Sequence, residues 1–127
     1  MSSETNEKPM IDRAKRYQSH ALVDFRKYKR LPFGVHSGVL LDLSTTGFKM
    51  AFTGEVKAET GKYYWISIPL SPLGIMAPER FTAKIECKWF DEGKYRIGGV
   101  FVGLNELNTS LLEKVITTIG DKGGLSL

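Results

Sequence analysis

The sequence predicts a mainly all-β domain, a six-stranded antiparallel β-barrel with a C-terminal α-helix packed on it. Three observations lead there. Six short segments alternate apolar and polar residues with a period of two, and Gly, Pro and Asp residues punctuate the gaps between them. One segment alone, Leu111, Leu112, Val115, Ile116 and Ile119, has strong helical spacing, and it comes last. The chain has 127 residues, enough to bury a single core.

Ala21, Val23 and Phe25 alternate with Leu22, Asp24 and Arg26 and predict the first strand. Arg26 to Gly34 is a basic connection closed by Leu31-Pro32-Phe33-Gly34, and Val35 to Leu41 returns as the second strand. Phe48, Met50 and Phe52 mark the core face of a third. After a loop from Gly54 to Gly61, Tyr64, Ile66, Ile68 and Leu70 mark a fourth, followed by a long connection through Pro72, Gly74 and Pro78. In the fifth, Phe81, Ala83, Ile85, Cys87 and Trp89 alternate with Thr82, Lys84, Glu86 and Lys88. Asp91-Glu92-Gly93 turns the chain into a sixth strand, Tyr95 to Val102, where Gly98-Gly99 allows a bend or a close approach. Ser110-x-x-Glu113 offers a capping box for the helix and Gly120 a stop. The predicted organisation is a flexible segment over 1–12, a folded domain over 13–120 and a loose tail over 121–127.

Composition excludes several functions. No apolar stretch approaches the roughly 20 residues of a membrane helix, so no membrane insertion is expected. The polar start, Met1 to Lys8, does not read as a secretory signal. The single cysteine, Cys87, precludes an internal disulfide and agrees with a cytoplasmic location. His20 and His36 have no partners at metal-ligand spacing, Cys87 alternates with core residues, and no catalytic constellation stands out, so neither an enzyme nor a resident cofactor is expected. The net charge of +4 is concentrated: residues 1–30 hold eight basic groups against four acidic ones, and the rest of the chain is balanced. That suggests an anionic partner near the N-terminus.

The most suggestive stretch is Asp42-Leu43-Ser44-Thr45-Thr46-Gly47, between the second and third strands. It exposes a carboxylate and a hydroxyl two residues apart, on one face if the backbone is extended. Gly47 permits a positive φ or the close approach of a backbone or ligand. Alone, the stretch reads equally well as a tight hairpin whose side chains serve only the turn.

With its context, the chain resembles the PilZ domain, the bacterial receptor module for cyclic di-GMP. The resemblance rests on Asp42-x-Ser44-x-x-Gly47, on basic residues before the first strand, on Trp89 in the penultimate strand and on Gly99-Val100-Phe101 in the last, and it covers roughly residues 13–119. It implies a six-stranded barrel and cyclic di-GMP as ligand. The family's second motif, R-x-x-x-R, is imperfect here. Counted back from Val23 and Phe25, its second arginine falls on Arg16, but its first position is Asp12, with Arg13 one place late. An intact R-x-x-x-R stands instead at Arg26 and Arg30, after the first strand. The ligand-binding residues implied are Arg13, Arg16, Asp42, Ser44 and Gly47, with Arg26 and Arg30 as the alternative register.

Those residue types suit the ligand. A guanidinium bonds phosphate oxygens or guanine O6 and N7 bidentately and stacks on a base. Asp42 could accept from guanine N–H groups, and Ser44 could bond base or phosphate. The implied function is a receptor whose arginine segment orders on binding and signals to a downstream protein partner. Two rivals remain: a PilZ-like adaptor that has lost nucleotide binding, and a nucleic-acid-binding barrel of the OB type, supported by Tyr28, Phe33, Tyr63 and Tyr64. The charge balance beyond residue 30 argues against nucleic acid as a partner.

Overall fold

A computed structural model describes residues 22–121. Six strands, β1 (Leu22–Arg26), β2 (Val35–Leu43), β3 (Gly47–Phe52), β4 (Tyr63–Pro69), β5 (Arg80–Asp91) and β6 (Arg96–Phe101), precede a helix, α1 (Glu106–Asp121). All neighbouring strands are antiparallel and close into a barrel in the order β1-β2-β3-β6-β5-β4. The predicted mainly all-β barrel with its C-terminal helix is the observed fold.

The period-two pattern is the cause of the core. Val23 and Phe25 from β1, Leu40 and Leu43 from β2, Phe48, Met50 and Phe52 from β3, Ile66 and Ile68 from β4, Phe81, Ala83, Ile85 and Cys87 from β5 and Ile97 from β6 all point inward and are buried. Phe25 sits at the centre, fully buried. Its ring lies edge-on to Phe52 at 5.1 Å and tilted against Tyr64 at 4.8 Å. Tyr64, one of the aromatics the sequence offers to a nucleic acid, is buried instead, and its hydroxyl accepts from the Glu59 amide at 3.0 Å.

Two bulges change the phase of the alternation. In β2 the register against β3 shifts between Leu40 and Asp42, which leaves Leu40 and Leu43 both buried and turns Asp42 outward. In β5 the register against β6 shifts between Cys87 and Trp89. Strict alternation grouped Trp89 with the inward residues. The bulge turns it out, to 39% exposure, while Phe90 packs on the core. The Cys87 thiol donates to the Trp89 carbonyl at 3.5 Å across this bulge.

The helix buries Leu112, Val115 and Ile119 in the same core and packs against β5 and the 3-10 turn Ser71–Leu73. Its start differs from the expected capping box. Asn105 caps it, the side-chain carbonyl accepting from the Asn108 amide at 2.8 Å, so Ser110 lies in the second turn rather than at the start. Glu106 in the first turn suits the helix dipole. Nor does Gly120 end the helix, which runs through it to Asp121.

Phe25→Ala should cost about 3–5 kcal/mol, because the aromatic cluster cannot collapse into the space, and urea unfolding measures it. Burial raises the Cys87 thiol above its ordinary pKa. A raised pKa favours the neutral thiol, so this contribution is intact at neutral pH and lost only as alkali ionises the group. Cys87 should therefore react with an aromatic disulfide reagent at pH 8 only as fast as the native state opens, and at once in denaturant.

Candidate functional site

The Asp42–Gly47 stretch stands at one end of the barrel. Ser44 to Gly47 forms the turn itself, closed by the Ser44 amide donating to the Gly47 carbonyl at 2.9 Å. The Ser44 hydroxyl accepts from the amides of Thr46 and Gly47, both at 3.2 Å, and lies 3.1 Å from the Thr46 hydroxyl. Ser44 is thus beyond the end of β2, its oxygen folded into the turn, and not on an extended face with Asp42 as the spacing suggested. Its hydroxyl proton is still available to the Gly47 carbonyl at 3.4 Å, to Thr46 or to a ligand.

Gly47 is required for a reason other than a positive φ, which it does not have. A Cβ there would lie 2.5 Å from the Gly99 carbonyl oxygen of β6. The residue lets β3 and β6 come together, the close approach that was one of two expectations. From the preceding residue of the turn, the Thr46 carbonyl accepts from the Phe101 amide at 2.9 Å and ties the turn to the end of β6.

Asp42 is half-buried and faces outward, and its place in the register defines a row across four strands. Asp42 pairs with Lys49, Lys49 with Gly98, and Gly98 with Trp89. The Trp89 indole lies over Gly98, where a Cβ would collide with the ring, and Gly98 is buried beneath it. The row presents a carboxylate, an ammonium and an indole side by side. Lys49 and Trp89 were not among the residues the sequence singled out for binding. Their signal was the register, which depends on two bulges that no periodicity reveals.

β1 enters at this same end. Leu22 pairs with Val39, three residues before Asp42, about 10 Å along a strand. Arg13 and Arg16 lie outside the described residues. Arg26 pairs with Val35, seven residues and about 23 Å from Asp42, at the other end of the barrel. Its guanidinium is occupied there, donating to the carbonyls of Leu31 at 2.8 Å and Tyr28 at 3.4 Å, and Arg30 stands exposed on the same loop. The structure therefore separates the intact R-x-x-x-R from the Asp42 turn.

No group of three or more His, Cys, Asp and Glu residues able to hold a metal exists among the described residues. Gly47→Ala should destabilise the fold by about 1–3 kcal/mol, since the methyl must displace backbone rather than a side chain. Ser44→Ala should cost about 1 kcal/mol through the lost turn acceptor. Thermal melts of the two variants check both values.

By sequence, the chain matches no protein-family model and no curated protein. Its structure is similar to the PilZ domain of CeSA from a cellulose-synthesizing bacterium, with 14% identity over 79% of this chain and 92% of that one and a TM-score of 0.56. It is similar also to the PilZ domain of YcgR from Escherichia coli, solved with c-di-GMP, with 13% identity over 80% and 82% and a TM-score of 0.57. A third likeness is to the Bacillus subtilis inhibitor of motility MotI/DgrA, at 11% identity over 80% of this chain and a TM-score of 0.56, where the match spans 48% of that protein. At such identities the likeness is one of architecture, and by architecture the chain is a PilZ-domain fold.

Proposed function

We propose that this protein is a cytoplasmic cyclic di-GMP receptor without enzymatic activity, which orders its N-terminal arginine segment on binding and signals through a protein partner. The observation that carries the reading is the placement of the Asp42-x-Ser44-x-x-Gly47 turn on a PilZ-domain fold, at the barrel end where β1 enters. Arg13 and Arg16 precede β1 by a few residues, so the chain need only cross about 10 Å more than the Leu22–Val39 pair to bring an arginine to Asp42.

The chemistry follows from the outer row. Asp42 accepts hydrogen bonds from the adjacent N1–H and N2–H donors of a guanine Watson–Crick edge, where an adenine would offer one amino donor beside an acceptor and so only one bond to the carboxylate. Trp89 offers a flat apolar surface at the same level, and Lys49 adds positive charge between them for a phosphate. Arg16 and Arg13 close on the phosphates and on the exposed base face. A ligand that recruits a segment in this way shifts its population from open to closed, and a partner that reads the closed form completes the signal.

Isothermal titration should show cyclic di-GMP binding in the low micromolar range or tighter, about 8 kcal/mol or more. Arg16→Ala should weaken it at least tenfold, on the order of 2–3 kcal/mol, and Arg16→Lys should recover little. Asp42→Ala should cost as much, Arg13→Ala less, and Arg30→Ala less than about threefold through general charge alone. Hydrogen exchange over residues 1–17 should slow when nucleotide is added. Absence of both heat and melting shift at saturating nucleotide would point to an adaptor without a nucleotide, and loss of binding in Arg30→Ala but not Arg16→Ala would reverse the register.

A further inference from the structure

The opposite end of the barrel carries a surface that nucleotide recognition leaves unused. The β1–β2 connection, Lys27 to Gly34, exposes six consecutive residues, Tyr28 to Phe33. Among them Tyr28 is 47%, Leu31 42% and Phe33 60% exposed. Lys27, Lys29 and Arg30 are interleaved with them, and no carboxylate occurs between Asp24 and Asp42. Folding alone gives no reason to hold three large apolar side chains in water on one short loop.

The loop is held in shape. The Lys27 amide donates to the Gly34 carbonyl at 2.9 Å, Gly34 takes a φ of +73°, and Arg26 clamps the Leu31 carbonyl. The rings of Tyr28 and Phe33 meet edge-on at 5.6 Å. Its character continues down the outer barrel wall. The Lys29 ammonium stands 5.0 Å over the Trp65 ring, Trp65 pairs across the sheet with Lys84, and the Lys84 ammonium stands 4.9 Å over Tyr63. Glu86, opposite Tyr63 and bonded to Lys88 at 3.3 Å, marks the edge of this strip.

The geometry points to a peripheral docking surface for an anionic lipid bilayer, with Tyr28, Leu31 and Phe33 entering the interface and Lys27, Lys29, Arg30 and Lys84 meeting the headgroups. Charge complementarity and side-chain class select this occupant. The exposed Tyr28 and Tyr63 and the half-buried Trp65, beside lysines, have an apolar body and a polar tip, the combination that settles at a headgroup boundary. An apolar loop ringed by cations binds anionic membranes by adding shallow insertion to electrostatic attraction. A single-stranded nucleic acid would use the same cations and could stack on Tyr28 and Phe33, but it has no use for the aliphatic Leu31 exposed between them, which an interfacial contact buries. Among the described residues no helix is long and apolar enough to cross a membrane, so this contact would be superficial.

The test is co-sedimentation of the nucleotide-free protein with vesicles, which makes it independent of cyclic di-GMP binding. Vesicles of phosphatidylcholine with about one-third phosphatidylglycerol should retain the protein at least tenfold better than phosphatidylcholine alone, and added salt should release it. The double variant Leu31→Ser, Phe33→Ser should lose most of that binding, and Lys27→Ala, Arg30→Ala should lose on the order of tenfold or more. Of the four side chains changed, Arg30, Leu31 and Phe33 are exposed and Lys27 is half-buried, and matching melts confirm that the variants fold. No retention by anionic vesicles would overturn the assignment, as would retention unchanged in the serine variant. Tight binding of a thymidine 12-mer through the same residues, with vesicles ignored, would overturn it in favour of nucleic acid.

Discussion

The barrel closes at its narrowest seam, three residue pairs between β1 and β4: Asp24 with Ser67, Phe25 with Ile66 and Arg26 with Trp65. Every other pair of neighbouring strands shares five or more. Without this seam the sheet would be open, with edges on β1 and β4 and the Phe25 cluster uncovered. Arg80 braces it from the next strand, donating to Asp24 at 2.8 Å and to the Ser67 hydroxyl at 2.6 Å, so that one guanidinium touches both strands of the seam. The ion pair is partly exposed, and its contribution is correspondingly modest. Fixing orientation is its more consequential effect, because β1 is also the strand that leads in from the arginine segment.

Closure sorts the surface into two ends of different chemistry. At one end are the Ser44–Gly47 turn, the entry of β1 and the outer row of Asp42, Lys49 and Trp89. At the other is the loop of Tyr28, Leu31 and Phe33. The strand β1 joins them, five residues long, with Leu22 at one end and Arg26 at the other. Nucleotide recognition and membrane contact, taken together, would place a soluble signal and a surface at the two ends of that strand.

The fold was legible because alternation in each strand stated which face was buried: Phe81, Ala83, Ile85 and Cys87 needed no structure to be placed inside. What periodicity could not carry was a change of phase. Trp89 continues the alternation of β5 in sequence, yet one bulge turns it outward, and the same device in β2 turns out Asp42 between Leu40 and Leu43. The turn motif was legible as residue types, while the division of labour inside it was not. Gly47 serves barrel packing, Ser44 serves the turn first, and Asp42 stands half-buried on the outer face before the turn. The helix start was missed because Ser110-x-x-Glu113 satisfies the capping pattern, whereas Asn105 caps with a neutral amide and no partnering glutamate.

On the proposed function the outer row beside the Asp42 turn, not the basic loop at the far end, receives the nucleotide. Amide chemical-shift mapping with cyclic di-GMP tests it most directly. Shifts are expected at Asp42, Thr46 and Lys49 and at the indole N–H of Trp89, with the amides of Tyr28, Leu31 and Phe33 unmoved. Shifts confined to that loop and to Lys84, with Asp42 and Trp89 unaffected, would contradict it.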